Sequence, residues 1–148
     1  MTTTRQSNFA AGLRTTLLLA TLTGLFVVIG ALIGGSSTAL MFLIMAAIFN
    51  MGAYWFSDKL ALRMSGARPV SEAEAPRLYQ MVRELTTRAD LPMPRLYVIP
   101  QEQPNAFATG RNPKNSAVAV TAGIMTRLSE DELRGVIAHE LAHIRNRD

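Results

Sequence analysis

Between residues 15 and 57 the chain carries no Asp, Glu, Lys or Arg, and no other feature restricts its fold as much. Two apolar runs lie inside that window, "TTLLLATLTGLFVVIGALI" over 15–33 and "TALMFLIMAAIFNMGAYWF" over 38–56, separated by "GGSS". As a helix, each run is long enough to cross a hydrocarbon core of about 30 Å. Spans joined by so short a break must run antiparallel, so the expectation is a transmembrane helical hairpin over 15–57. Arg5 and Arg14 precede it, Lys59, Arg63 and Arg68 follow it, and the connecting turn has no positive charge. That asymmetry places both flanks, including a tail over 1–14, in the cytoplasm. A cleaved signal peptide fits poorly: the first apolar core is too long, no small-x-small site stands out, and a second span follows at once.

Inside the hairpin, Gly30 and Gly34 have the spacing that lets helices approach closely, and ordinary packing between the two spans is the simpler use of it. Tyr54 and Trp55 sit where interfacial aromatics would, and Asn50 is expected to hydrogen-bond to a neighbouring helix.

From Asp58 onward charges recur every few residues, as in a soluble domain. The net charge is +4, but the arginines are scattered and Lys59 and Lys114 are the only lysines. A nucleic-acid surface needs a basic patch or stripe, and none is present. There is no cysteine, so disulfides and thiolate ligands are excluded and any metal must be held by nitrogen and oxygen.

"SEAE" at 71–74 reads as a capping box, followed by a helix with Pro76 in its first turn and Leu78, Met81, Val82 and Leu85 at helical spacing, ending near Ala89. "DLPMP" breaks the chain, and "RLYVI" over 95–99 is a strand. "NAFATG" and "SAVAVTAGI", divided by "RNPKNS", predict a β-hairpin. "SEDE" at 129–132 is a second capping box, opening a last helix from about Glu130.

That last helix carries "HELAH". His139 and His143, four apart, lie on one face about 6 Å apart along the axis and can converge on one ion. Two imidazoles leave positions open on a zinc ion, and the adjacent Glu140 can take a proton from attacking water and pass it to a departing amine. Accident is disfavoured, because these are the only histidines of the chain and the helix is capped and amphipathic. Leu133, Val136, Ile137 and Ile144 share a stripe with Glu140, and a carboxylate set against a core needs a reason. A catalytic zinc takes three protein ligands, and no third is evident. Glu132 lies about 10 Å before His139 along the axis, Asp148 points to another side, and Asn146 is better placed to hydrogen-bond behind the ligands than to bind metal. Asn146 also stands where an "HxxGxxH" extension would have its glycine.

The membrane hairpin, "LPMPRLYVIP", "NAFATGRNPKNSAVAVTAGI" and "LSEDELRGVIAHELAHIRNRD", in this order, resemble the HtpX-type membrane zinc metalloproteases, bacterial relatives of the CAAX prenyl proteases. The resemblance implies an α+β fold in which the transmembrane hairpin precedes a partial zincin-like domain of helix, short β-sheet and active-site helix over 58–148. It implies a multi-pass protein of the bacterial inner membrane, both ends of this chain cytoplasmic, that cleaves damaged or misassembled membrane proteins or unfolded polypeptides. Zn2+ is the implied cofactor, with His139 and His143 as ligands and Glu140 as the catalytic acid/base. In similar peptidases the third ligand is a glutamate from a helix well downstream, which this chain lacks. The resemblance also assigns Asn105 and Ala106 to substrate backbone, with Phe107 turned towards the protein, in a strand that an extended substrate joins. The other reading open to the sequence is a short, non-catalytic membrane partner or inactive fragment; oligomeric state is unreadable.

Overall fold

The computed structural model describes residues 3–147, with side chains from residue 13 onward. The chain divides into two compact units, Met1–Phe56 and Ser57–Asp148.

In the first unit nearly every residue is helical. Helix α1 (Thr3–Met64) is broken only at Gly34 (φ −147°, ψ 22°) and Gly35 (φ 71°, ψ −156°). Gly35 occupies a left-handed region closed to residues with a Cβ, and a Cβ at Gly34 would overlap the Thr38 hydroxyl. The break is therefore narrower than the four residues of "GGSS": Ser36 and Ser37 already belong to the second limb. Residues before the break touch residues after it in reverse order. A Cβ on Gly30 would come within 3.0 Å of both the Phe42 ring and the Thr38 carbonyl. The rings of Phe26 and Phe42 lie 6.4 Å apart, and the Asn50 amide donates to Thr23 Oγ1 at 3.4 Å. Gly30 thus serves close packing, whereas Gly34 serves the break. Most large apolar side chains here point outward, including Leu18, Leu32, Ile48 and Phe49. The helical segment Leu13–Met64 reaches a mean hydropathy of 2.4 in its most apolar stretch, so by length and composition it is able to cross a membrane.

The second unit is a mixed sheet with helices, in the order β1-β2-β4-β3. Strand β1 (Arg68–Pro69) pairs antiparallel with β2 (Arg95–Ile99). Strand β2 runs parallel to β4 (Ser116–Thr121), Arg95 opposite Ala117, and β3 (Ala106–Gly110) is antiparallel to β4, Ala106 opposite Val120. Strand β4 is the buried centre of the sheet and β3 one of its edges. Its alternation sends Val118 and Val120 to a core with Leu96, with Leu78, Met81 and Val82 of α2 (Pro76–Ala89), and with Leu133, Ile137 and Leu141 of α4 (Glu130–Asn146). Ala117 and Ala119 face the other side, with Leu62, Ile99, Tyr97 and Phe107. Beside them Arg95 Nη2 lies 3.3 Å from the buried Asp58 carboxylate.

The expected strand at 95–99, the β-hairpin and the helix from Glu130 are all present. Between β3 and β4 the chain makes a short 3-10 turn (Pro113–Asn115) in which the Asn112 side chain accepts from the Asn115 N–H at 2.9 Å. Two expectations need correction. "SEAE" does not cap α2: Glu74 Oε2 accepts from both the N–H and the hydroxyl of Ser71, closing a local turn, and the helix starts only at Pro76 behind an uncapped Ala75. The residue before a proline is pushed out of helical geometry, so no helix can run through Ala75 from Ser71. "SAVAVTAGI" is not all strand either. The Thr121 hydroxyl accepts from the Ile124 N–H at 3.2 Å and starts α3 (Ala122–Arg127). Gly123 is packed so closely on the Glu102 carbonyl that a Cβ would overlap it.

Helix α4 begins with a complete capping box: Ser129 Oγ accepts from the Glu132 N–H at 3.3 Å and Glu132 Oε2 accepts from the Ser129 N–H at 2.8 Å. Ser129→Ala is expected to destabilise this unit by about 1 kcal/mol in denaturant unfolding. The bonds from Ser129 hold the Glu132 carboxyl below its ordinary pKa. A depressed folded-state value stabilises above the unfolded carboxylate pKa and is lost as pH falls through the folded value. The stability gap between wild type and Glu132→Ala should therefore narrow on acidification below about pH 4.3; a gap that stays constant down to pH 2, roughly two units below that value, would contradict the assignment.

Candidate active site

One face of α4 is anchored by Leu133, Ile137 and Leu141, all buried, with Val136 and Ile144 half-buried against the same core. Leu141, outside the stripe expected from the sequence, joins it because it lies four residues after Ile137. This anchoring turns His139, Glu140 and His143 towards one side: His139 is exposed, Glu140 and His143 half-buried.

The Nε2 atoms of His139 and His143 stand 3.1 Å apart, the rings at 88° with centroids 4.6 Å apart. Two ring nitrogens so close cannot both direct a proton at the other: one donates to the other, or both lone pairs converge on a shared cation. Two nitrogens bound tetrahedrally to zinc at about 2.0–2.1 Å would stand roughly 3.3 Å apart. The pair therefore fits the nitrogen half of such a site. Among the described residues no third His, Cys, Asp or Glu joins them. Glu132 is engaged in the cap at the far end of α4, Asn146 is exposed at the last residue of the helix, and Asp148 lies outside the described residues.

Glu140 bridges the helix and the sheet. Its Oε2 accepts a hydrogen bond from the main-chain N–H of Ala108 on β3 at 3.0 Å. A half-buried carboxylate beside an apolar stripe is thereby satisfied by an edge strand. Nothing in the side chain of Ala108 marks it in the sequence; the usable signal is the two-residue period of "NAFATG", which puts Ala106, Ala108 and Gly110 on one side.

Asn105 precedes β3 and is exposed. Its N–H donates to Thr121 Oγ1 at 2.9 Å, and its carbonyl accepts from the Thr121 N–H at 2.9 Å. Its main chain is thus committed to β4, and the side-chain amide is what it can offer outward. Ala106 is half-buried on the edge strand, and Phe107 packs against the cluster of Leu62, Ala117 and Ala119. A cavity of about 130 Å³ adjoins His143 and the outer end of β3, with Gly110, Arg111 and Arg147 in its lining. Gly110 takes φ 141°, and a Cβ there would overlap the Asn115 carbonyl, so the end of the strand requires glycine.

Residues 72–148, which contain α2, the three longer strands and the whole site, match the model of Peptidase family M48. A protein named Protease HtpX homolog from Syntrophobacter fumaroxidans is 56% identical over 135 residues, 91% of this chain and 48% of its own length. One of the same name from Burkholderia mallei is 58% identical over 135 residues, 91% of this chain and 47% of its own. The chain thus spans about half the length of the curated relatives it matches. The crystal structure of S. mikatae Ste24p aligns with a TM-score of 0.56 over 99% of this chain and 35% of that one, at 14% identity, which bears on the fold alone. The α+β architecture, the paired histidines of α4 and the match over 72–148 lead to one assignment: the chain belongs to peptidase family M48.

Proposed function

We propose that this chain carries the metal-binding and proton-transfer half of a zinc endopeptidase of the bacterial inner membrane, acting on damaged or misassembled membrane proteins and unfolded polypeptides. The observation that carries the reading is the juxtaposition on α4: two imidazole nitrogens 3.1 Å apart, with a carboxylate one residue on that reaches the sheet edge.

In this reading His139 and His143 hold zinc through Nε2, and a third ligand comes from outside the described residues. Zinc, when bound, supplies Lewis acidity to peptide-bond hydrolysis. Glu140 takes one proton from the attacking water and delivers it to the amine nitrogen as the C–N bond breaks, so no net proton is consumed. Strand β3 gives an extended substrate main-chain groups to pair with, Ala106 among them, and Asn105 offers its exposed side-chain amide. Pairing through main-chain groups holds a peptide without demanding a sequence, which suits a protease of unfolded chains.

The two limbs of the charge-free segment would cross the membrane as a hairpin, both ends in the cytoplasm. Support comes from the reversed contacts across Gly34 and Gly35, the outward apolar surface, and the positive charges at Arg14, Lys59, Arg63 and Arg68.

In the full-length protein, Glu140→Gln is expected to retain stoichiometric zinc and lose casein cleavage by about 10²- to 10⁴-fold. Persistent proteolysis in that variant would remove Glu140 from its role. His139→Ala and His143→Ala should each lose zinc, measured by elemental analysis of purified protein, while far-UV circular dichroism stays unchanged. Zinc retained by both variants would place the metal elsewhere, and a wild-type protein with neither zinc nor cleavage would favour a non-catalytic membrane partner.

A further inference from the structure

An extended peptide added to β3 would lie about 4.8 Å from it and use the main-chain groups that face away from β4. Which groups these are follows from the ladder. Asn105 exchanges bonds with Thr121, so residues 105, 107 and 109 point their N–H and C=O towards β4, and Ala106, Ala108 and Gly110 point theirs outward. One of those outward donors is already in use, because the Ala108 N–H donates to Glu140 Oε2 at 3.0 Å. A main-chain N–H has a single proton and serves one strong acceptor at a time. The Glu140 carboxylate therefore stands where a carbonyl of an added strand has to go.

We propose that the Ala108 N–H is a two-position switch, holding Glu140 in the resting protein and passing to a carbonyl of the incoming peptide, which releases the carboxylate for proton transfer. The proposal rests on the endopeptidase reading above, with β3 as the substrate edge. The exchange breaks one hydrogen bond and forms one, so its net cost is small and binding energy along the strand can drive it. Peptides too short or too folded to lie along β3 leave the base tethered. Selection for extended chains is then made at Glu140 itself, in addition to the affinity gained by pairing. Ala108 is a positioning residue in this scheme, acting through Glu140.

The ladder also supplies a selective variant. Ala108 does not donate to β4, so Ala108→Pro removes the switched donor and leaves the pairing with Val118, on an edge strand where proline is tolerated.

The test uses full-length protein stripped of metal with EDTA and a fluorescein-labelled peptide of alternating Val and Thr, with affinity read by anisotropy. Glu140→Ala removes the competing acceptor and is expected to tighten binding about three- to tenfold. Ala108→Pro should weaken it, and adding Glu140→Ala to Ala108→Pro should change nothing further, which locates the coupling at that N–H. Without peptide, amide exchange over residues 106–110 should be faster in Glu140→Ala than in wild type. Equal peptide affinity in wild type and Glu140→Ala, or the same gain in the Ala108→Pro background, would overturn the switch and leave peptide binding, and with it the endopeptidase reading, standing. Binding by none of the variants would overturn both. If Ala108→Pro fails to fold, the affinity and exchange of Glu140→Ala decide the matter alone.

Discussion

Everything at the site depends on the packing of α4 against the sheet. Leu133, Ile137 and Leu141 pack with Val118 and Val120, all essentially removed from water. Each such side chain contributes roughly 1.5–3 kcal/mol of transfer free energy, so this seam is a large part of what holds the second unit together. It also fixes the rotation of α4 about its axis. With the apolar stripe turned inward, His139 and His143 can only stand beside it, and Glu140 falls at the boundary where a carboxylate reaches the edge of the sheet.

The same seam explains why a polar group tolerates its place. A half-buried carboxylate is costly unless its oxygens find donors. Strand β3 provides one because it is an edge: a central strand would have spent its N–H groups on neighbours on both sides. Edge strands are exposed to unwanted pairing, and here part of the edge is occupied by a side chain of the protein itself. Gly110, closed to any residue with a Cβ by the approach of Asn115, sets where that edge ends.

Much of this architecture was legible in the residues because it is written in local patterns. Ser129 and Glu132 announce the start of α4, the alternation of "RLYVI" and "SAVAV" announces strands, and the four-residue spacing of His139 and His143 announces convergence on one face. The failures have two causes, one local and one not. Ser71 and Glu74 have the spacing of a capping box, but Pro76 forbids the geometry, so the same side chains close a turn instead. The pairing of β1 with β2, and the parallel alignment of β2 with β4, leave no local mark, since the partners are distant in sequence. Ala108 is chemically silent as a side chain, and its role lies in a main-chain N–H whose direction is decided by its partner strand.

The sequence by itself determined the kinds of element, the charge-free segment with its glycine break, and the placing of two imidazoles and a carboxylate on one helix, because these follow from periodicity, charge and side-chain chemistry over a few residues. Only the tertiary structure decided that Glu140 meets Ala108, that Asn105 turns its main chain to Thr121, and that β3 stands at an edge. Those contacts join residues 16 to 32 positions apart, set by how the helices and the sheet share a core, and no local pattern encodes them.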